Sequence, residues 1–268
     1  MLQTCRARQV LPVTYGSVVY FWSDDLAEAP GSRAVRWGFT SRRGGVSGPP
    51  YDELNLGGAV GDDPEAVRTN RALVAKSVGV SPDRLVFMNQ CHGSDVIVVG
   101  DQPDDGEAPS ADGMVTRSDQ LALAVLVADC VPVLLADAAA GVVGAVHAGR
   151  PGMTSGVVER AVEAMRELGA RRVAAVVGPS VCGRCYEVPE PLRAAASEAS
   201  AVSATVSWTG TPAVDVAAGV VEQLRRQDVE VRWVPGCSRE DPRLFSYREA
   251  HRTGRFAGVV RLMPGEER

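Results

Sequence analysis

Apolar positions along this chain fall into two rhythms. Leu121–Val127, Val131–Ala136 and Val142–His147 are short runs rich in Val, Leu and Ala, almost continuous in apolar character. That pattern predicts strands buried on both faces. Gly16–Trp22, Val35–Thr40, Arg172–Val177, Val229–Val234 and Gly258–Leu262 read as further strands. Arg84–Asn89 and Asp95–Val99 read as a strand pair folded about the Cys91–Ser94 corner, and Asp112-Gly113 turns into another short strand. Helical rhythm appears elsewhere. Asp62, Asp63 and Pro64 form an acidic start with proline in the first turn, Val67, Ala72, Leu73, Ala75 and Val78 supply the stripe, and Gly79 marks the stop. Thr154 or Ser155 caps a second helix through Leu168, with Val157, Val158, Ala161, Met165 and Leu168 on one face. Glu190–Ser200 and Val214–Gln227 read as two more.

Between these elements, Ser41–Tyr51 is dense in glycine and proline, and residues 100–111 form an acidic, proline-containing loop. The strands come partly in runs and partly alternate with helices. No repeat or break in composition divides the chain, so the pattern predicts one mixed α/β (α+β) domain over residues 1–268 rather than a regular doubly wound sheet. No G-x-G-x-x-G follows the first strand and no G-x-x-x-x-G-K-[ST] occurs, which leaves nicotinamide and P-loop nucleotide chemistry without support.

Composition narrows the partners. The 268 residues are 45% hydrophobic, enough for a sizeable core. A net charge of -5 without a basic block argues against nucleic acid. The most apolar stretch, Ala122–Ala148, is interrupted by Asp129, Pro132 and Asp137, so no membrane span of about 20 residues is expected. The N-terminal segment lacks an apolar signal core, and the expectation is a cytoplasmic protein. Six cysteines are too few for a disulfide framework. Cys182 and Cys185 form a C-x-x-C with no second such pair, which reads as two partly buried cysteines at a turn rather than a zinc site.

The chain has three histidines. His92 and His147 each sit in a glycine-bearing corner at a strand end, and Cys130 occupies a third corner, Ala128-Asp129-Cys130. Three N/S donors with an open fourth position is the ligand set of a catalytic zinc. The same residues permit a second chemistry, in which Cys130 is a nucleophile and His147 its base, with no metal. Asp129 beside Cys130, and Asp95 three after His92, are candidate proton carriers or ligand-orienting groups. Arg42 in the glycine-rich loop, with Asn55 nearby in sequence, is a candidate for binding a phosphate or a ribose-linked anion.

Taken together in order, G-F-T-S-R-R-G-G-V-S with L-N-L-G, then N-Q-C-H-G-S-D-V, A-D-C-V-P-V-L-L-A-D, V-H-A-G, G-P-S-V-C-G-R-C-Y-E-V and F-S-Y-R with T-G-R resemble the laccase-domain family over residues 37–262. Its members were called multicopper polyphenol oxidases and are described as purine nucleoside phosphorylases with adenosine deaminase activity. The resemblance implies a single layered α/β/β/α domain with mixed sheets, similar to the fold of toxin-type cysteine deamidases. It implies one zinc ion per chain on His92, Cys130 and His147, substrate contacts from Arg42 and Asn55, and purine nucleosides (adenosine, inosine, guanosine, methylthioadenosine) with phosphate as partners. Cys130 and His147 would then be catalytic, with Asp129 the candidate proton carrier. Where the family reads H-A-G-W-R-G this chain has H-A-G-R-P-G, so Arg150 would stand in for the expected arginine from one position earlier, or the site would be a non-catalytic zinc- or nucleoside-binding one. Cys91 replaces a usual valine. Copper is disfavoured: a blue-copper site and a three-copper cluster need many more histidines than three.

Overall fold

Val131, Val133 and Leu135 face one interior, and Leu134 and Ala136, from the same strand, face another. Because strand side chains alternate sides, a strand with both sets buried lies in the middle of a layered molecule. The computed structural model describes residues 13–26, 33–101 and 108–265, and it has that architecture. One six-stranded sheet runs in the order β1 (Val13–Tyr15), β2 (Val18–Leu26), β3 (Val35–Thr40), β14 (Phe256–Leu262), β7 (Ala122–Val127) and β4 (Leu85–Phe87). A second runs β13 (Glu230–Trp233), β10 (Ala174–Val177), β8 (Val131–Asp137), β9 (Val142–Ala148), β6 (Gly113–Thr116) and β5 (Val96–Val98). Both are mixed: β4–β7, β5–β6 and β10–β13 pair in parallel and the other neighbours antiparallel.

The two sheets pack face to face through Phe39, Leu123, Val125, Leu134, Val143, Val176 and Phe256. Helix α1 (Pro64–Ser77) covers the outer face of the first sheet with Val74 and Ala75, against Leu54, Leu56, Ala122, Ala124 and Val259. Asp63 caps it, its carboxylate accepting the Glu65 amide at 3.0 Å. Helices α3 (Val157–Glu167) and α5 (Val216–Arg226) cover the second sheet with Val158, Ala161, Met165, Val220 and Leu224. The order of layers is therefore α/β/β/α. The short α2 (Arg150–Thr154) and α4 (Glu190–Ala199) complete the outer layer of the second sheet, and β11 (Ala204–Val206) with β12 (Pro212–Val214) form a separate hairpin. Among the described residues no helix is long and apolar enough to cross a membrane.

Two expectations need correction. Arg84–Asn89 and Asp95–Val99 do not pair with each other. β4 joins β7 in the first sheet and β5 joins β6 in the second, so the intervening corner crosses from one sheet to the other. Apolar alternation specifies a strand but not its neighbour. The helix expected from Thr154 or Ser155 is α3, which starts at Val157 after Gly156 at φ +78° rather than at a Thr or Ser cap, and a further helix that was not expected, α2, precedes it directly after Gly149. Residues 1–12 of the N-terminal segment and half of the acidic loop, residues 102–107, lie outside the described residues.

Candidate metal centre and cavity

β8 and β9 pair with Val131 opposite Ala148 and Pro132 opposite His147. Cys130, just before β8, and His147, near the end of β9, therefore emerge at the same end of the hairpin. Both share the parity of Leu134, Val143 and Ala145, which points them toward the space between the sheets. The crossing corner between β4 and β5 brings His92 to the same place. One donor atom from each of His92, Cys130 and His147 lies within 4.8 Å of the others. The Cys130 sulfur is 3.7 Å from His92 Nε2, and the two imidazoles meet edge-on with centroids 4.8 Å apart.

A carboxylate that the motifs do not single out holds this arrangement. Asp112, fully buried at the start of β6, accepts the His147 Nδ1 proton through Oδ1 at 2.7 Å. The same oxygen accepts the His92 amide at 3.0 Å, and Oδ2 accepts the Gly93 amide at 2.6 Å and the Cys91 thiol at 3.1 Å. Successive amides turned onto one carboxylate form an anion nest. The nest explains how His92 is kept at φ +61°, a left-handed conformation unusual for a side-chain-bearing residue. With Nδ1 of His147 engaged, Nε2 is the atom left to bind a ligand. Cys91 is accounted for as a donor to Asp112 and is not among the clustered donors.

The electrostatics follow. Burial works against a charge on Cys130, but the His147 and His92 imidazoles outweigh it and bring the thiol down to about 6. His147 moves up to about 9: burial opposes its charge, and the Cys130 sulfur and the Asp112 carboxylate outweigh that. Asp112 lies well below the usual carboxylate range, because its bonds to His147, Cys91 and Gly93 overcome the cost of burial. A deprotonated sulfur between two imidazoles is the form that meets a metal or an electrophile. The donor set suits a metal: two ring nitrogens and a thiolate, one imidazole oriented by a buried carboxylate, and no fourth protein donor in the group among the described residues.

These residues floor a cavity of about 850 Å³. Phe87, Tyr186 and Tyr247 give it aromatic walls, and Arg71, Arg150, Arg248 and Arg255 line it as well. Among the described residues none of these four arginines forms a salt bridge with a carboxylate. Arg71 stacks over Phe87 at 4.2 Å and Arg248 over Tyr186 at 4.5 Å. Among the described residues the buried Nε of Arg150 has no hydrogen-bond partner.

Of the residues expected from sequence, His92, Cys130, His147, Asp129 and Arg150 line this cavity. Asp129 has φ +96° and both carboxylate oxygens occupied: Oδ1 accepts from Ser238 at 2.7 Å and Ser246 at 2.6 Å, and Oδ2 from the Arg248 amide at 2.7 Å. Arg42 does not line the cavity. Its Nε donates to the Asp52 carbonyl at 2.8 Å, and its guanidinium stacks on Phe245. Asn55 is buried beneath the wall, where Oδ1 accepts the amides of Gly57 and Arg255, two lining residues. Asp95 lies at the surface, facing Arg160. The sequence reading missed Asp112, Arg71, Arg248, Arg255 and the third histidine, His251, which lines the cavity beside Tyr247. Asp112 opens a strand in the sequence pattern, and nothing local distinguishes it from a turn residue.

A family profile described as multi-copper polyphenol oxidoreductase laccase matches residues 36–263. The chain is 59% identical over 233 residues to a purine nucleoside phosphorylase of Streptomyces coelicolor, covering 85% of this chain and 96% of that one. It is 56% identical over 240 residues to a protein of the same name from Streptomyces griseus, covering 87% and 97%. Among solved structures it resembles a Neisseria meningitidis protein with a TM-score of 0.78 at 32% identity, covering 90% of this chain and 99% of that one. YlmD from Geobacillus stearothermophilus gives a TM-score of 0.78 at 26% identity, covering 92% and 97%.

Proposed function

The chain belongs to the multi-copper polyphenol oxidoreductase laccase family, and on that premise we propose that it is a zinc-dependent purine nucleoside phosphorylase that also deaminates adenosine. The observation that carries the reading is one cavity holding both the His92–Cys130–His147 donors and four arginines that have no carboxylate partner among the described residues. Guanidinium groups free of carboxylates suit phosphate. Aromatic walls suit a purine, and the volume lies within the usual range for small-molecule sites. The names of the Streptomyces relatives point to the same substrates.

In phosphorolysis a phosphate oxygen bonds to C1′ of the nucleoside as the bond from C1′ to the base nitrogen breaks, and the departing base takes up a proton. In this proposal Arg150, Arg248 and Arg255 hold phosphate, and Arg71 and Phe87 bound the base; all five line the cavity. His92, Cys130 and His147 would hold zinc, whose chemistry when bound is Lewis-acid polarisation and a lowered pKa for water. Asp112 keeps His147 in the ligating tautomer. Asp129, its oxygens filled by three donors, acts in this proposal by fixing the corner that presents Cys130. Asn55 acts by holding Arg255, and Arg42 by holding the loop at Asp52. The substrates are adenosine, inosine, guanosine and methylthioadenosine, and the compartment is the cytoplasm.

The test is nucleoside turnover by chromatography combined with metal analysis. With phosphate present, inosine should yield free base and ribose 1-phosphate, and adenosine should yield inosine without phosphate. His147→Ala should lose one zinc equivalent and both activities. Full turnover by metal-stripped protein would overturn the zinc reading. One observation favours a second reading: the lowered Cys130 thiol between two imidazoles is also the arrangement of a cysteine hydrolase. That reading requires metal-independent activity and covalent labelling of Cys130 that zinc does not block.

A further inference from the structure

β10 and β13 are parallel neighbours, with Val177 opposite Trp233. Chains leaving the same end of two parallel strands stay side by side. Here they do so through a bridge between Ser180 and Cys237, with the Ser238 amide donating to the Ser180 carbonyl at 3.0 Å. Each then makes a tight turn. In the first, the amides of Cys185 and Tyr186 fold back onto the Cys182 carbonyl at 2.9 and 3.1 Å. In the second, the amides of Glu240 and Asp241 fold back onto the Cys237 carbonyl at 3.1 and 2.9 Å. The turns aim their side chains at one another. The donor atoms of Cys182, Cys185, Cys237 and Glu240 all lie within 4.8 Å of one another.

We propose that these four residues form a second, structural zinc site, separate from the cavity. The C-x-x-C alone lacks two ligands, and the fold supplies them from 52 and 55 residues further on (Cys237 and Glu240). Zinc with Zn–S bonds of about 2.3 Å spaces its sulfurs about 3.8 Å apart, which the cluster reaches with small side-chain movements. The Cys185 thiol already approaches Glu240 Oε1 at 3.2 Å. Four protein donors close the coordination sphere, as in structural zinc sites, and a thiolate-rich set selects zinc over hard cations. The Cys182 amide donates to the Cys237 sulfur at 3.4 Å, and the amides of Arg239 and Glu240 also face it. Burial pushes the Cys237 thiol up, and these amides work against that rise. A disulfide would use two of the four groups and leave the other two without a role.

The site lies where it would brace the cavity. Val181, next to Cys182, donates its amide to the Asp129 carbonyl at 3.0 Å, and Ser238, next to Cys237, donates its hydroxyl to the Asp129 carboxylate at 2.7 Å. Asp129 precedes Cys130. Tyr186 of the first turn lines the cavity and carries Arg248 on its ring. A metal tying the two turns together therefore fixes one wall of the cavity.

Elemental analysis of the full chain, reconstituted with zinc under reducing conditions and freed of excess, should give about two zinc ions per chain if both sites fill. His147→Ala should lose one ion, the Cys182→Ser/Cys237→Ser variant should lose one, and their combination should lose both. If the cysteine variant fails to fold, alkylation of the wild-type chain provides the test. The half-buried Cys182 and Cys237 should resist a maleimide until a chelator is added and then label together. An ion that survives His147→Ala and is lost with the cysteine variant upholds this site even if the cavity binds none. Any of three results overturns it: no ion beyond the one removed by His147→Ala, a disulfide between any two of the three cysteines that persists under the reducing conditions used for reconstitution, or labelling of Cys182 and Cys237 that the chelator does not change.

Discussion

Asp112 holds both histidines of the His92–Cys130–His147 cluster, one by its ring and one by its backbone. An amide at this position would keep the shape and remove the charge. Asp112→Asn could still pair with Nδ1 of His147, but it would lose the anion around which the amides at 92 and 93 are wrapped. Groups that orient metal ligands typically change affinity by about 10–100-fold when mutated. The expected outcome is a loss of that order in zinc affinity at the cavity, measured by competition with a chromophoric chelator, with His92, Cys130 and His147 all present. Unchanged affinity would show that the carboxylate serves only the fold. At this scale His92, Cys130 and His147, which the fold brings together, were legible in the sequence because each sits in a short corner of few residue types. Asp112 was not, because its role arises from residues 20 and 35 positions away along the chain. The second cysteine cluster was half legible: the C-x-x-C is visible, while Cys237 joins it only through the parallel pairing of β10 and β13.

The turn from β9 into α2 shows what the sequence pattern could and could not give at the level of elements. Arg150-Pro151 looks like a break in the motif, yet proline in the first turn of a helix forfeits no backbone hydrogen bond. Pro151 therefore fits the start of α2, and Arg150 still reaches the cavity. The critical residue of the turn is Gly149. A Cβ there would lie 2.8 Å from His92 Cδ2 and 3.3 Å from the Cys130 sulfur, so only glycine lets α2 begin this close to both ligands. Gly149→Ala should leave the fold intact, because the backbone there has an ordinary φ of -73°. The His92 ring would have to move. A displacement near 1 Å at reacting groups costs roughly 100-fold in rate. Nucleoside turnover should fall by that order while the circular dichroism spectrum and urea midpoint stay near wild type. Undiminished turnover would mean that His92 yields without consequence. The strand rhythm predicted both flanks of the His92 corner but not that they enter different sheets, which is the feature that carries His92 to Cys130 and His147.

At the scale of the whole molecule, the cavity lies at the seam between the sheets. Cys130 and His147 come from the second sheet, while Phe87, Leu126 and Val127 come from the first. That β7, β8 and β9 are buried on both faces was legible from their apolar runs, whereas the α/β/β/α layering was an expectation of the family resemblance. Which two of the three share a sheet was not legible, since antiparallel neighbours and facing strands bury the same residue types. Stability and site geometry should then separate according to where the sheet-to-sheet core is cut. Leu134, fully buried midway along β8, packs between the sheets and pairs in register with Ala145 of β9 and Val176 of β10. Replacing it by alanine removes a buried branched side chain and leaves a cavity in a layer that cannot collapse without moving a whole sheet. Such substitutions cost about 2–5 kcal/mol. Leu134→Ala should lower the unfolding free energy by that amount in urea. The Cys130 and His147 end of the hairpin, held by its own ladder and by Asp112, should keep its donors together, so zinc content should not change. His147→Ala is expected to show the reverse pattern, losing the ion from a fold whose apolar layers remain complete. If Leu134→Ala emptied the metal centre while the protein stayed folded, the site would depend on the precise spacing of the sheets and not on the hairpin and its carboxylate alone.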